Sequence, residues 1–235
     1  MIVVVEGISA AGKTTWCNQA ASASLLPESF PADRMSQPVQ DAQVAAYWTR
    51  WNAKRWNDAC AIEQLYGVAV CDTDPLKLHY SWCLWQVGQG TEAQWQLAWQ
   101  AARRAVTAQQ LGFADLYLVK AIDAATARQQ MAGDPGRTRK NFELHLSLQA
   151  PLLDWYRAIE QVFPGRVHWQ LPLDFKIPQT SANIRRYDLR AFDALLDALP
   201  RPAFDLARYA GCGRGASWGN LAGAGKARKN GPFCP

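Results

Sequence analysis

The stretch Ile2-Val3-Val4-Val5-Glu6-Gly7-Ile8-Ser9-Ala10-Ala11-Gly12-Lys13-Thr14-Thr15 decides the architecture. Four β-branched residues in a row, with no polar alternation, suit a strand covered on both faces, as in a parallel sheet. Gly7 interrupts the run, and from Lys13 to Ser24 the sequence reads as a helix that stops before Pro27. Between the two, Gly7 to Thr14 satisfies G-x-x-x-x-G-K-[ST] in full. Each residue type has a physical task. Gly7 and Gly12 let the backbone curl, so that the amides of Ser9, Ala10 and Ala11 converge on phosphate oxygens. The helix start adds unpaired amides and the positive end of its dipole. Lys13 supplies a mobile point charge for β- and γ-phosphates. The Thr14 hydroxyl is placed to ligate magnesium, and Thr15 to reach the α-phosphate. The expected cofactors are therefore ATP and Mg2+.

Outward from that loop, strand and helix patterns alternate. Arg34 to Val39 reads as a weak second strand among Pro27, Pro31 and Pro38, and residues 41–64 as a helix carrying Trp48, Trp51 and Trp56. Gly67 to Cys71 is a further buried strand, stopped by Asp72-Thr73-Asp74-Pro75. Thr91 with Gln94 forms a capping box ahead of the stripe Trp95, Ala98, Trp99, Ala102 and Val106. Leu116 to Val119 is a strand and Ala124 to Met131 a short helix. Phe142 to Phe163 is helical with a break near Pro151, Val167 to Trp169 a last strand, and a final helix starts at Asp188. Such alternation predicts a three-layer α/β/α fold with a mostly parallel five-stranded sheet, the P-loop NTPase architecture.

The chain has 235 residues, 49% hydrophobic, and a formal charge of +5. Residues 201–235 hold six basic residues and one acid, which accounts for all of that charge and leaves the body neutral. A neutral body argues against nucleic acid as a partner. The tail also holds seven of the sixteen glycines and reads as disordered. The expected organisation is a kinase-like domain over 1–200, with a lid near 133–141, followed by that basic tail. The six cysteines form no CxxC pair and no zinc spacing. Unpaired thiols and no export signal point to the cytoplasm. No run of 18 apolar residues exists, so no membrane partner is expected.

A switch GTPase needs N-K-x-D and D-x-x-G motifs, and neither is present. An ATP-driven motor needs a longer chain and an Asp-Glu pair closing a strand. A small kinase needs only a phosphate loop, a carboxylate near magnesium, an acceptor pocket and a basic lid. The chain resembles the deoxynucleoside and thymidylate kinases at three further places over residues 1–172. Gln37-Pro38-Val39, with Trp48 downstream, resembles the Glu-Pro-Val segment closing that family's second strand. Leu116 to Ala121 resembles the strand before the lid. Arg128, Arg137-Thr138-Arg139-Lys140 and Phe142 to His145 resemble the helix, arginine-rich lid and following helix.

The resemblance implies transfer of the γ-phosphate of MgATP to a nucleoside, nucleotide or similar small molecule, and allows a homodimer formed through helices. It implies Lys13, Arg137 and Arg139 as catalytic cations, with Arg128 joining them at the nucleotide. One departure matters. The family's orienting carboxylate falls on Gln37, a substrate position whose neutral amide accepts no proton. Asp72 is the expected substitute, as base or magnesium ligand, and Asp74 as a second substrate contact. Both follow a strand at its carboxyl end, where ligands bind in open α/β sheets. Two alternatives stay open: a kinase that modifies an antibiotic or metabolite on the same scaffold, and an ATP-binding protein without turnover.

Overall fold

The computed structural model describes residues 1–36, 38–133 and 141–202. Five strands form one all-parallel sheet in the order β2-β3-β1-β4-β5. They are β1 (Ile2–Glu6), β2 (Leu25–Leu26), β3 (Ala69–Asp72), β4 (Leu116–Val119) and β5 (Val167–His168). β1 lies in the centre, with Val5 opposite Asp72 on one side and Leu118 on the other. All five of its residues are buried, as the unbroken β-branched run predicts. Among the described residues, eight α-helices cover the sheet: α1 (Lys13–Ala21), α2 (Asp41–Tyr66), α3 (Leu78–Gln86), α4 (Glu92–Thr107), α5 (Ala124–Ala132), α6 (Phe142–Ser147), α7 (Gln149–Val162) and α8 (Leu189–Ala198).

The strand period of two sends alternate residues of β1 to opposite layers. Ile2 and Val4 join the large core shared by α2, α3, α4, α7 and α8. Val3 and Val5 join the smaller core that Trp16 and Cys17 of α1 close. Tryptophans dominate the large core. Trp56, Trp82, Trp95 and Trp155 are all at most 1% exposed. Each such side chain removes about 200 Å² from water, or about 5 kcal/mol.

Three local readings differ from the sequence expectation. The second strand is Leu25–Leu26, paired with Val70 and Cys71, while Arg34–Ser36 is a single 3₁₀ turn. A two-residue strand carries no periodicity, so its signal is absent from the sequence. Helix α3 starts at Lys77, which has φ 41°, with no side-chain cap to announce it. The break in the long helical stretch falls at Leu148, not Pro151. Pro151 sits in the first turn of α7, where its missing N–H has no intrahelical acceptor to serve. The capping box at Thr91 and Gln94 forms with both of its hydrogen bonds.

A charged cluster ties the amino end of the sheet to the segment before α8. Asp115 is fully buried and accepts hydrogen bonds from the backbone amides of Ile2 and Asn183 and from the Arg186 guanidinium. Arg186 also forms a two-pronged pair with Glu63, at 2.8 and 2.6 Å. That guanidinium holds the Glu63 carboxyl down at about 2 against the opposing effect of burial.

Candidate active site

The site forms at the carboxyl ends of the strands. Gly7 leaves β1 at φ 152°, and a side-chain carbon there would meet the Lys120 carbonyl oxygen at 2.5 Å. Ala10 has φ 67°, and Gly12, with φ 81°, caps α1. Left-handed backbone at a non-glycine residue is strained and collects at functional loops. The Lys13 amine curls into the loop and donates to the carbonyls of Gly7, at 2.7 Å, and Ile8, at 3.3 Å. Gly7, Ser9, Ala10, Ala11, Gly12, Lys13, Thr14 and Thr15 all line one cavity of about 1100 Å³.

Thr14 Oγ1 donates to Asp72 Oδ2 at 2.6 Å, joining the first turn of α1 to the end of β3. Asp72 is 3% exposed, and its other oxygen, Oδ1, is buried and accepts no hydrogen bond. Burial pushes the Asp72 carboxyl up, and the Thr14 hydrogen bond and nearby Lys13 pull it back. A hydroxyl and a carboxylate at contact, with a carboxylate oxygen still short of a partner, fit a magnesium ion. That ion takes one or two protein oxygens and completes its shell with phosphates and water. Among the described residues no group of three or more Asp, Glu, His or Cys could hold a metal ion by itself. Below, Arg55 of α2 is 2% exposed and donates to the carbonyls of Asp72 and Thr73 at 3.1 Å each. It fixes the strand end from the helix side.

The remaining expected residues separate. Asp74 is 1% exposed and lies beneath the floor. Its carboxyl accepts from the Leu76 amide at 2.9 Å, and burial raises it to about 7. It lines neither of the cavities described here. Arg128 points to solvent in a two-pronged pair with Glu143, at 3.1 and 2.8 Å. Gln37, Arg137 and Arg139 lie outside the described residues, as does most of the lid.

Three charged residues of the cavity wall escaped the sequence reading. Glu28 follows β2 directly, separated by Pro27, and faces the cavity. Its carboxylate meets Lys77 Nζ at 2.9 Å. Burial alone would raise the Glu28 carboxyl, but the Lys77 ammonium overrides it and brings it to about 2. Glu28 thus stands just past the observed second strand, a place the sequence reading, with that strand set at 34–39, did not single out. Lys120 ends β4, and a carbon added to Gly12 would lie 3.9 Å from its amine. A lysine directly after an apolar strand was the available signal. Glu6 is the third, buried at the end of β1. Phe30 carries the Arg34 guanidinium 4.7 Å and the Lys77 amine 5.4 Å from its ring centre.

A second cavity of about 420 Å³ opens between α2, α3 and α4, and the two share Lys77 and Tyr80. Trp48, Val44, Leu84 and Ala98 give it apolar walls, and Asn52, Asp41 and Gln94 add polar groups. Gln94 Nε2 donates to Asp41 Oδ1 at 3.1 Å across its lining. Lys77 is the one cation among the described residues of that wall.

No family model and no curated protein matches the sequence. Solved structures do match in fold. A deoxyadenosine kinase from M. mycoides with bound dATP superposes with a TM-score of 0.53 at 14% identity, covering 72% of this chain and 91% of that one. A second structure of that enzyme, with products bound, gives 0.48 at 12% identity over 84% and 97%. A structure of EHV4-TK gives 0.39 at 13% identity over 71% and 60%. The chain therefore has the P-loop deoxynucleoside-kinase-like fold. Among the described residues no helix is long and apolar enough to cross a membrane.

Proposed function

We propose that this protein transfers the γ-phosphoryl group of MgATP to a hydroxyl of an uncharged nucleoside. The observation that carries the reading is the Thr14–Asp72 contact at 2.6 Å beside the Lys13 amine. A hydroxyl–carboxylate pair suited to magnesium beside the glycine loop that lines the cavity supports that reading. Phosphoryl transfer through a loose transition state asks for positioning and for neutralised charge on the phosphate oxygens. Magnesium, which Thr14 and Asp72 would hold, would supply part of that charge. Lys13 and Lys120 supply cations from the chain itself, and Arg137 and Arg139 are assigned to close over the phosphates. The deoxyadenosine kinase of like fold, crystallised with dATP, supports a nucleotide in this cavity.

Glu28 is assigned to the acceptor. An ionised carboxylate there accepts a hydrogen bond from the acceptor hydroxyl and aims its lone pair at the phosphorus. A strong base is unnecessary, because little proton transfer precedes bond breaking in a loose transition state. The hydroxyl would lie near Lys77 and Tyr80, where the two cavities meet, and the planar base beside Trp48, since aromatic rings stack on flat heterocycles. A nucleoside monophosphate would need a guanidinium clamp for its own phosphate. The smaller cavity offers only Lys77, already paired with Glu28, and this favours a nucleoside over a nucleotide. Four described cysteines, Cys17, Cys60, Cys71 and Cys83, are free thiols, in keeping with a cytoplasmic enzyme.

The test is ADP release by purified protein with MgATP and a panel of nucleosides, nucleoside monophosphates and sugars. Nucleosides should turn over, and monophosphates should not. Turnover with monophosphates alone would reassign the acceptor, and absence of turnover with every acceptor would refute the kinase reading.

A further inference from the structure

Glu6 is buried at 3% exposure in the floor of the site and takes no part in the chemistry assigned above. Its two carboxylate oxygens accept from two different segments. Oε2 takes the amide of Gly7, the first residue of the phosphate loop, at 3.1 Å. Oε1 takes the amide of Asp74, in the turn after β3, at 2.9 Å. The neighbouring ladder shows why such a link is needed. Pairing between β1 and β3 ends with Val5 opposite Asp72, and the last backbone bond runs from the Thr73 amide to the Val5 carbonyl at 3.1 Å. Past that point the two chains diverge, one into the phosphate loop and the other into the acidic turn. Among the described residues, the Glu6 side chain spans them where they part, and the Thr14–Asp72 bond meets across them farther along the loop. Its backbone carbonyl meanwhile accepts from the Lys120 amide at 2.8 Å, so β4 is held to the same residue.

We propose that Glu6 is a positioning residue that continues the sheet by one side chain and thereby sets the distance between Thr14 and Asp72 at the magnesium site. Thr14 hangs from the loop that Gly7 begins, and Asp72 stands two residues before the amide that Glu6 grips. A carboxylate is required because both partners are donors. The amide of a glutamine offers one acceptor and one donor, so one of the two N–H groups would face another N–H. A shift of a few tenths of an ångström at either grip is transmitted to a hydroxyl–carboxylate pair that is already at contact distance. Groups that orient metal ligands in this way are worth about ten- to a hundredfold in metal affinity or activity. His79 does not neutralise the carboxylate. Its Nε2 stands 3.6 Å from Glu6 Oε1, and burial holds it neutral, with a pKa of about 4.

The inference rests on the magnesium–nucleotide reading, and the experiment separates the two. In Glu6→Gln and Glu6→Asp, kcat should fall about ten- to a hundredfold. The magnesium concentration for half-maximal rate should rise by a similar factor, while ATP still binds in EDTA. A folded variant with normal kcat and normal magnesium requirement overturns the proposal. Amide exchange in the wild-type protein decides the case if neither variant folds. MgATP should slow exchange at Asp74 together with Gly12 and Lys13, because Glu6 couples the turn to the loop. Slowing at Gly12 and Lys13 with Asp74 unchanged would overturn the positioning role and leave the nucleotide site standing. No slowing anywhere in the loop would remove both.

Discussion

At the amino end of the sheet, the fully buried Asp115 is surrounded by donors: the Ile2 and Asn183 amides and the Arg186 guanidinium, itself shared with Glu63. At the carboxyl end, Asp72 is nearly as buried, yet among the described residues one of its oxygens has no donor and the Lys13 amine donates to carbonyls of its own loop alone. Both clusters are buried charge on one sheet, and their difference lies in satisfaction. A cluster whose members are all paired stabilises the fold. A cluster with an unmet carboxylate oxygen and a cation turned onto loop carbonyls is where the proposed function puts its ligand. The sheet thus separates structure from chemistry by direction, in line with the tendency of parallel α/β sheets to bind ligands where the strands point.

Substitutions at the two ends should break along that line. Lys13→Ala should lower ATP-dependent turnover by about a thousandfold, with an unchanged melting midpoint in calorimetry. Asp72→Asn and Glu28→Gln should each cost about a hundredfold in kcat, and they should differ in kind. The first should raise the magnesium requirement, and the second should leave it alone. A Glu28→Gln enzyme with wild-type kcat would take Glu28 out of the acceptor site.

Arg186→Met belongs to the other end. It leaves Asp115 buried beside one lost partner, which should cost about 3 kcal/mol of stability, or roughly 6–12 °C in the midpoint, while turnover per folded molecule stays unchanged. Loss of activity in the folded variant would erase the distinction between the ends. Acid sharpens the comparison. Glu63 and Glu28 are both lowered from the usual 4.5 to about 2. A carboxyl depressed on folding contributes stability that is fully present above about pH 4.5 and is lost as pH falls towards 2. Chemical unfolding across that window should therefore show a shallower acid loss in Arg186→Met than in the wild type. The smallest effect belongs to the tail. Removing residues 203–235 should leave the melting midpoint and nucleotide binding as they were.

Legibility in the sequence follows how local each feature is. The phosphate loop, the central strand and the capping box of α4 rest on contacts within about eight residues. Their residue types alone set the backbone, and the strand, the turn into α1 and the capping box form where the sequence puts them. The second strand was misplaced because two leucines after a 3₁₀ turn carry no period. The motif comparison put the carboxylate position on Gln37, outside the described residues, and passed over Glu28, which the fold sets on the cavity wall. Asp72 and Asp74 look equivalent in Asp-Thr-Asp. Strand alternation would put both on one face, but Thr73 between them has left-handed backbone, φ 77°, so the first meets Thr14 and the second is buried in the floor.

By itself, the sequence determined that a strand, a glycine-turned loop and a helix start would build a curled cradle near the amino terminus, inside a parallel α/β sheet. Backbone conformation and hydrophobic period are encoded within a few residues of one another. Only the tertiary structure decided which charges face that cradle. Glu28 meets Lys77 across 49 residues, Thr14 meets Asp72 across 58, and Glu6 meets Asp74 across 68. Which of these carboxylates is paired, buried or left open depends on chain segments brought together by packing, and no local pattern records that.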